Sequence, residues 1–398
     1  TMDMKQLFDT EVCRKNTNCS KFDGMTPTFG RNDLLPLWIA DMDFPVAQAI
    51  TDGIMARAAH PIYGYNIFPG GYYEAFAAWE KKRNSWQVDP QWVCHTPGVL
   101  TALSNAILSF TEKGGKVLIQ PPVYFPFRST IEALDRVVLD NPLIYDPENG
   151  AFTMDFEDLE QKAPQADLFV FCSPHNPSGR VWTKEELAQV EEICRRNHLL
   201  VFSDEIHSDI VYAPGTHTVF AQISDWSREH SIVAMAPSKT FNIAGLEMSH
   251  ITIANDALRQ RFQHVLRYGL HVANANTLGI PAAMAAYTHG EEWYQALLVY
   301  LKENLDYLDA ALKRAVPQVK LVYPQSTYIP LLDMSALGMT NDEMKAFVIK
   351  EVGAALNAGS TFGPGGERFM RINVATQRKN LEEFVDRLAR AGRKRGGG

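Results

Sequence analysis

Three polar side chains follow apolar runs, where a buried strand would present them to a ligand. Asn176 lies in Ser173-Pro174-His175-Asn176-Pro177-Ser178-Gly179, directly after Leu168-Phe169-Val170-Phe171. Asp204 follows Leu199-Leu200-Val201-Phe202, with Glu205 and His207 close behind. Lys239 sits in Pro237-Ser238-Lys239-Thr240-Phe241-Asn242, after Ile232-Val233-Ala234. Each residue type brings its own chemistry. An amide in a loop stiffened by two prolines and a glycine is held rigidly enough to orient a ligand, and it could equally close an Asx turn. A carboxylate at a buried strand end can pair with a ligand cation, bind a metal or cap the next element. A lysine in apolar surroundings loses its charge, because burial disfavours the ammonium, and the free amine is a nucleophile toward carbonyl groups.

The elements that must position these side chains can be read from periodicity. After Pro97-Gly98, the residues Val99, Leu100, Leu103, Ala106, Ile107 and Phe110 fall on one helical face. Val117-Leu118-Ile119 reads as a short buried strand stopped by Pro121-Pro122, and the runs 168–171, 199–202 and 232–234 read as three more. Thr183 with Glu186 three residues on is a capping box, and Leu187, Val190 and Ile193 supply that helix's buried face. Strands that are apolar throughout and separated by helices predict an α/β fold with a mostly parallel central sheet covered on both faces. Ligands of such sheets bind beyond the C-terminal strand ends. The C-terminal third changes character: Tyr328–Leu332, a helix opened by Thr340 and Glu343, Arg371–Val374 and a helix over Leu381–Ala391 predict a smaller α+β unit. The boundary falls near residue 288, dividing the chain into a large unit, 49–287, and a small one built from 1–48 and 288–398.

Composition narrows the classes of function. At 398 residues the length prior is about two domains, and a hydrophobic share of 46% supports a large core. Thirty-eight basic against 46 acidic residues give a net charge of −8, which disfavours a general nucleic-acid binder. No apolar run is long enough to span a membrane, and the N-terminus lacks the pattern of a signal peptide, so a cytoplasmic protein is expected. The five cysteines include no C-x-x-C pair and no matching histidine pair, so neither disulfides nor a metal site are expected. Thr1 before Met2 and the terminal Gly396-Gly397-Gly398 read as additions to the natural chain.

Taken together, Asn, Asp and Lys after successive strands fit one cofactor. Pyridoxal 5′-phosphate needs a lysine for its aldehyde, an acid for its pyridine nitrogen, a donor for its phenolate oxygen and a phosphate cradle. Gly98 with the amides of Val99 and Leu100, opening a helix, fits the cradle. The runs 173–179, Ser-Asp-Glu-Ile-His (203–207), Ser-Lys-Thr-Phe-Asn-Ile-Ala-Gly-Leu (238–246) and Phe-Met-Arg-Ile-Asn-Val-Ala (369–375) resemble the class I/II aminotransferase superfamily of fold type I. Together with Leu37–Pro45 and Tyr63-Gly64-Tyr65, they most resemble its carbon–sulfur lyase branch, the cystathionine β-lyase type. The resemblance implies that Lys239 bonds the cofactor aldehyde and moves the substrate Cα proton. It implies that Asp204 holds the pyridine nitrogen protonated, that Asn176 donates to the phenolate oxygen and that Tyr124 stacks on the ring. Ser238 would add a hydroxyl at the phosphate. Arg371 would grip the substrate carboxylate, with Ala40 adding backbone contacts, and Tyr65 would reach the phosphate of the partner subunit in a homodimer.

Two positions depart from aminotransferases proper. His207 stands where those enzymes usually carry a tyrosine on the phenolate oxygen, as is common in the lyase branch; a packing histidine is the alternative. Glu247 stands where they usually carry a phosphate-binding arginine; it is expected to turn away and pair with a nearby base, the alternatives being a protonated carboxyl, weaker cofactor binding or a solvated surface glutamate distant from the site. The expected activity is β-elimination from cystathionine or a related cysteine S-conjugate, giving a thiol, pyruvate and ammonia. The alternatives are an aminotransferase and, from another class, a cofactor-binding regulatory protein.

Overall fold

The structure, a computed structural model, describes residues 3–396; Thr1, Met2, Gly397 and Gly398, which include most of the expected terminal additions, lie outside the described residues. Seven strands form the central sheet: β1 (Val93–His95), β2 (Lys116–Ile119), β3 (Val137–Asp140), β4 (Leu168–Cys172), β5 (Leu200–Asp204), β6 (Ser231–Met235) and β7 (His250–Thr252). Their spatial order is β1-β7-β6-β5-β4-β2-β3. Pairs β3/β2, β2/β4, β4/β5 and β5/β6 are parallel, whereas β7 runs antiparallel to both β6 and β1. The sheet is therefore mostly parallel, and its one reversed strand was not legible beforehand.

Both faces of the sheet are covered, which explains why its strands are apolar without alternation. Successive side chains point to opposite faces. Val117, Ile119, Val170, Phe202 and Ile232 pack on one face with Ala102, Leu103, Ala106 and Ile107 of helix α1 (Val99–Phe110). Leu118, Phe169, Phe171 and Val201 pack on the other with Leu187, Val190 and Ile193 of helix α2 (Lys184–Arg196). The Thr183–Glu186 capping box is formed in both directions, Glu186 N–H to Thr183 Oγ1 and Thr183 N–H to Glu186 Oε1, so two orphan donors of the first turn are satisfied. Each fully buried apolar side chain contributes about 1.5–3 kcal/mol relative to exposure, so burial on both faces stabilises the sheet and its helices as one rigid support.

The register aligns the strand ends. Cys172 pairs with Asp204, and Asp204 with Ala234, so the loops after β4, β5 and β6 emerge side by side. Strand β5 runs two residues further than its apolar stretch, making Asp204 the last strand residue.

A second, antiparallel sheet has the order β8-β9-β11-β10, from β8 (Lys320–Leu321), β9 (Leu331–Asp333), β10 (Asn357–Ala358) and β11 (Phe369–Arg371). Helices α3 (Glu291–Ala315) and α4 (Arg378–Gly396) pack with it. Two expected strands are displaced here. Strand β11 stops at Arg371: Ile372 and Val374 still donate in register to the Pro330 and Tyr328 carbonyls, but Pro330 has no N–H to return, and Asn373 donates instead to Leu37. Tyr328 precedes β9. Leu35-Pro36 pairs in parallel with Ala354-Ala355, tying the start of the chain to its C-terminal third. Among the described residues no helix is long and apolar enough to cross a membrane.

Candidate active site

A cavity of about 270 Å³ opens at the C-terminal ends of β4, β5 and β6, and Gly98, Val99 and Leu100 line it from the start of α1. Gly98 has φ +93°, a conformation that L side chains rarely adopt, and it turns the chain so that the first N–H groups of α1 face the cavity end. Those N–H groups have no partner within the helix and carry the positive end of its dipole, the physical basis of phosphate binding at such a place.

Opposite the helix, Asp204 and Lys239 line the same cavity. Asp204 is buried and accepts the Ile206 N–H at 3.1 Å. Burial pushes its carboxyl up to about 7, Glu205 adds to the shift, and the Ile206 hydrogen bond and Lys239 oppose it. A cation placed against this carboxylate would restore its ionised form. Burial, reinforced by Arg371, pulls the Lys239 ammonium down to about 8, against the opposing pull of Asp41 and Asp204. Lys239 thus gives up its proton far more readily than an exposed lysine, with about a tenth of it free amine at pH 7.

Asn176 is fixed three ways. Its backbone N–H meets Cys172 Sγ at 3.4 Å, its carbonyl accepts the Tyr124 N–H at 3.0 Å, and its Oδ1 accepts Arg371 Nη1 at 3.3 Å. With the oxygen occupied, the Asn176 amide nitrogen is the group left to donate into the cavity, which Asn176 and Tyr124 both line. The other Arg371 fork, Nη2, donates to Asn357 Oδ1 at 2.9 Å, while its buried Nε has no partner among the described residues. Burial lowers the Arg371 guanidinium to about 10. His207 is also buried, with Nδ1 unpartnered, and burial followed by Lys239 and Arg371 lowers it to about 3, so its ring is neutral.

The structure brings together Ala40, Gly98, Val99, Leu100, Tyr124, Asn176, Asp204, His207, Ser238 and Lys239 around one cavity, with Arg371 behind Asn176. Tyr65 is different: it is fully exposed and lies outside the cavity of its own chain. Glu247 departs from expectation. It lines the cavity but makes no hydrogen bond or ion pair among the described residues. It is solvent-exposed at the left-handed end of a short helical turn (φ 54°), where water can hydrate the carboxylate and no base is required.

Sequence reasoning missed the residues that hold Ala40. The segment Ile39–Phe44 is a strap of successive bends that brings Ala40 to the cavity wall. Asn373 Nδ2 donates to the Ile39 and Asp41 carbonyls, both at 2.7 Å. Asn242 Nδ2 donates to those of Met42 and Phe44, both at 3.0 Å. Gln377 Nε2 reaches the Asp43 carbonyl at 2.9 Å. Arg14 forks onto Asp41 at 2.8 and 2.7 Å, and the fully buried Lys21 reaches Asp43 at 3.1 Å. The one available signal was Asn242 itself, since an asparagine is among the few residues that tolerate the left-handed conformation it adopts (φ 59°).

A glycine-started helix, an unpaired buried acid, a part-neutral lysine and an amide donor around one cavity fit pyridoxal phosphate group by group. Fold and site together define a pyridoxal-phosphate-dependent α/β enzyme. The chain belongs to the aminotransferase class I and II family, whose model matches residues 42–388. It is 40% identical over 387 residues to cystathionine beta-lyase PatB of Bacillus subtilis (strain 168), covering 96% of this chain and 99% of that protein. Cystalysin from Treponema denticola, which contains a pyridoxal 5′-phosphate cofactor, superposes with a TM-score of 0.93 at 33% identity, over 97% of this chain and 98% of that one. The pyridoxal-phosphate-bound C–S lyase from Staphylococcus hominis superposes with a TM-score of 0.89 at 31% identity, over 96% and 97% of the two chains.

Proposed function

We propose that this chain is a pyridoxal-phosphate-dependent carbon–sulfur β-lyase that cleaves cystathionine or a related cysteine S-conjugate to a thiol, pyruvate and ammonia. The observation that carries the proposal is the convergence of a part-neutral Lys239 amine and the buried Asp204 carboxyl on one cavity lined by the Gly98 turn. The match to PatB over nearly the whole of both chains directs this chemistry to a C–S bond.

Bound at this site, the cofactor supplies an electron sink that stabilises negative charge at the substrate Cα. The protein supplies the rest. Asp204 Oδ keeps a proton on the ring nitrogen. Asn176 Nδ2 would donate to the phenolate oxygen, and Tyr124 would stack on the ring. Gly98, Val99, Leu100 and Ser238 would hold the phosphate, and His207 would offer a neutral ring nitrogen to the cofactor. Arg371 binds the substrate carboxylate, its unpartnered Nε being free for that contact. The Ala40 N–H, with no partner among the described residues, faces the same group. Lys239 Nζ takes the Cα proton, holds it, and returns it to the departing sulfur.

The proposal extends to a cytoplasmic homodimer in which Tyr65 completes the partner's phosphate site. Ile62, Tyr63, Tyr65 and Ile67 stand exposed in one segment, an apolar face that a second copy would cover. The division into units 49–287 and 1–48 with 288–398 belongs to the same reading, supported by the pairing of Leu35-Pro36 with Ala354-Ala355.

The test is a panel of cysteine S-conjugates, cystathionine among them, scored for pyruvate and free thiol with no oxo-acid acceptor present. The lyase releases both in equal amounts. Amino-group transfer that needs an oxo acid and releases no thiol would overturn the reading in favour of an aminotransferase.

A further inference from the structure

Each carbonyl of the strap from Ile39 to Phe44 accepts a side-chain hydrogen bond, but the donors are not equivalent. Asn373, Asn242 and Gln377 take Ile39, Asp41, Met42, Asp43 and Phe44. Ala40 alone is left for the catalytic side of the cavity. Its oxygen accepts Lys239 Nζ at 2.8 Å and the Tyr328 hydroxyl at 3.1 Å. The alternation has a physical consequence: fixing the carbonyls on either side of Ala40 fixes the peptide plane between them, so the Ala40 oxygen cannot swing away from Lys239.

We propose that the Ala40 carbonyl docks the Lys239 amine whenever it is free during turnover, that Asn373 and Asn242 are positioning residues holding this acceptor in place, and that Tyr328 tempers its strength by sharing it. The proposal rests on Lys239 being the lysine that bears the cofactor and moves the Cα proton. When the Nζ lone pair takes that proton, the C–H electron pair stays with the substrate carbon and Nζ becomes an ammonium. One N–H remains on Ala40 O, which stops the amine from rotating out, and another carries the proton to sulfur as the C–S bond breaks and its electron pair leaves with the thiol. A hydrogen bond from a charged donor is stronger than one from a neutral donor. The dock therefore favours the ammonium over the amine and offsets part of the desolvation that opposes it.

The other charged and titratable groups facing Lys239 are Asp41 and Asp204, which favour the ammonium, Arg371, which opposes it, and His207, which is neutral. Asp41 is itself neutralised by Arg14. Neither Asn373→Ala nor Tyr328→Phe removes a charge from this set, although Asn373 holds the Asp41 backbone and Tyr328 lies near Asp41 and Arg371. Two variants should therefore move the titration of Lys239 in opposite directions. Tyr328→Phe leaves the Ala40 oxygen to Lys239 alone and raises it, by about half a pH unit. Asn373→Ala frees the Ile39 and Asp41 peptides, lets the acceptor drift and lowers it, by about one pH unit, each unit being a tenfold change in the amine–ammonium ratio.

Two readouts follow this titration. The first is the pH dependence with which the holoenzyme exchanges the Cα hydrogen of L-alanine for deuterium, a substrate with no leaving group. The second is the pH dependence of Lys239 acylation in the full chain stripped of cofactor, located by mass spectrometry. Opposite shifts in variants that keep the cofactor's visible absorption support the dock. An unmoved titration in Tyr328→Phe overturns it, whatever happens to kcat, because lost rigidity alone slows the reaction without moving this ionisation. If Asn373→Ala does not fold, Tyr328→Phe decides alone. Absence of the visible band from the wild-type protein contradicts instead the assignment of Lys239 as the cofactor lysine.

Discussion

The strand ends of the central sheet and the strap Ile39–Phe44 meet at Lys239, yet they are built in opposite ways. Asn176, Asp204 and Lys239 are each set by the strand immediately before them, in contiguous runs of a few residues, and the parallel register brings the three runs together. The strap has no such support. Its carbonyls are held by side chains 198 to 334 residues away along the chain. The sheet carries the reacting groups on a core of buried aromatic and aliphatic side chains. The strap buries Met42 and Phe44 in the core around helix α3, but its backbone is fixed by hydrogen bonds and by the ion pairs of Arg14 and Lys21, each of modest net worth but expensive to leave half made. Loss of a core side chain should therefore damage the whole molecule, and loss of a clamp should damage the site alone.

The largest effect expected on the sheet side is from Phe171→Ala. This fully buried ring packs on the α2 face of β4, and its removal should cost about 3–5 kcal/mol. The denaturation midpoint would fall with an unchanged m-value, and an effect below 1 kcal/mol would show that the sheet is not the rigid half. Asp204→Asn tests the site without disturbing the core. It should leave the midpoint close to wild type and reduce kcat by about 10²–10³-fold, the scale of one preorganised electrostatic contact. Gln377→Ala is the smaller strap experiment. It leaves the Phe8, Thr10 and Asp43 carbonyls without a shared donor, at about 1–3 kcal/mol. Hydrogen exchange should show faster opening of residues 39–44 with strands β4 to β6 unaffected. Equal loss of protection in both regions would break the distinction.

A pH experiment sharpens the comparison where the two regions join. Lys239 is held at about 8 by burial and Arg371, against Asp41 and Asp204, so its amine becomes free as pH rises through that value. Capture of pyridoxal phosphate by the cofactor-free chain should accelerate up to about pH 8 and then level off, where an unperturbed lysine would continue to gain up to about pH 10. The same direction appears in stability. Lys239 is a base with a depressed pKa, so the stability it lends at high pH is lost as pH falls from about 10 to about 8, while the raised carboxyl of Asp204 costs stability as pH rises from about 4 to about 7. The two losses meet between about pH 7 and pH 8, where these groups leave the cofactor-free protein least stable.

The same contrast explains what could be read from the sequence. Gly98, Asn176, Asp204 and Lys239 were legible because a strand, its stop signal and its functional residue are neighbours in the chain. The capping boxes at Thr183 and Thr340 were legible for the same reason, and both form. Asn242, Asn373, Tyr328 and Gln377 were not, because an amide or hydroxyl whose partner is a distant backbone carbonyl looks like any other polar residue. The expected strand over Arg371–Val374 is cut short at Arg371, because Pro330 opposite Ile372 has no N–H to return and Asn373 donates to distant Leu37. Reversal of β7 left no trace in composition, since a short strand paired on both sides reads the same in either direction. Glu247 was misjudged because its exposure, and with it the absence of any need for a basic partner, depends on the turn it ends.

Lys239 joins every part of this account, and its removal is the most direct test. Purified wild-type protein loaded with pyridoxal phosphate should absorb in the visible, retain that band through gel filtration, and release pyruvate and thiol from a cysteine S-conjugate. Lys239→Ala, loaded and filtered in the same way, should show no retained band and a loss of activity of at least about 10³-fold. A Lys239→Ala protein that keeps the visible band and turns over at a rate near wild type would contradict the assignment, and with it the role given to the strap.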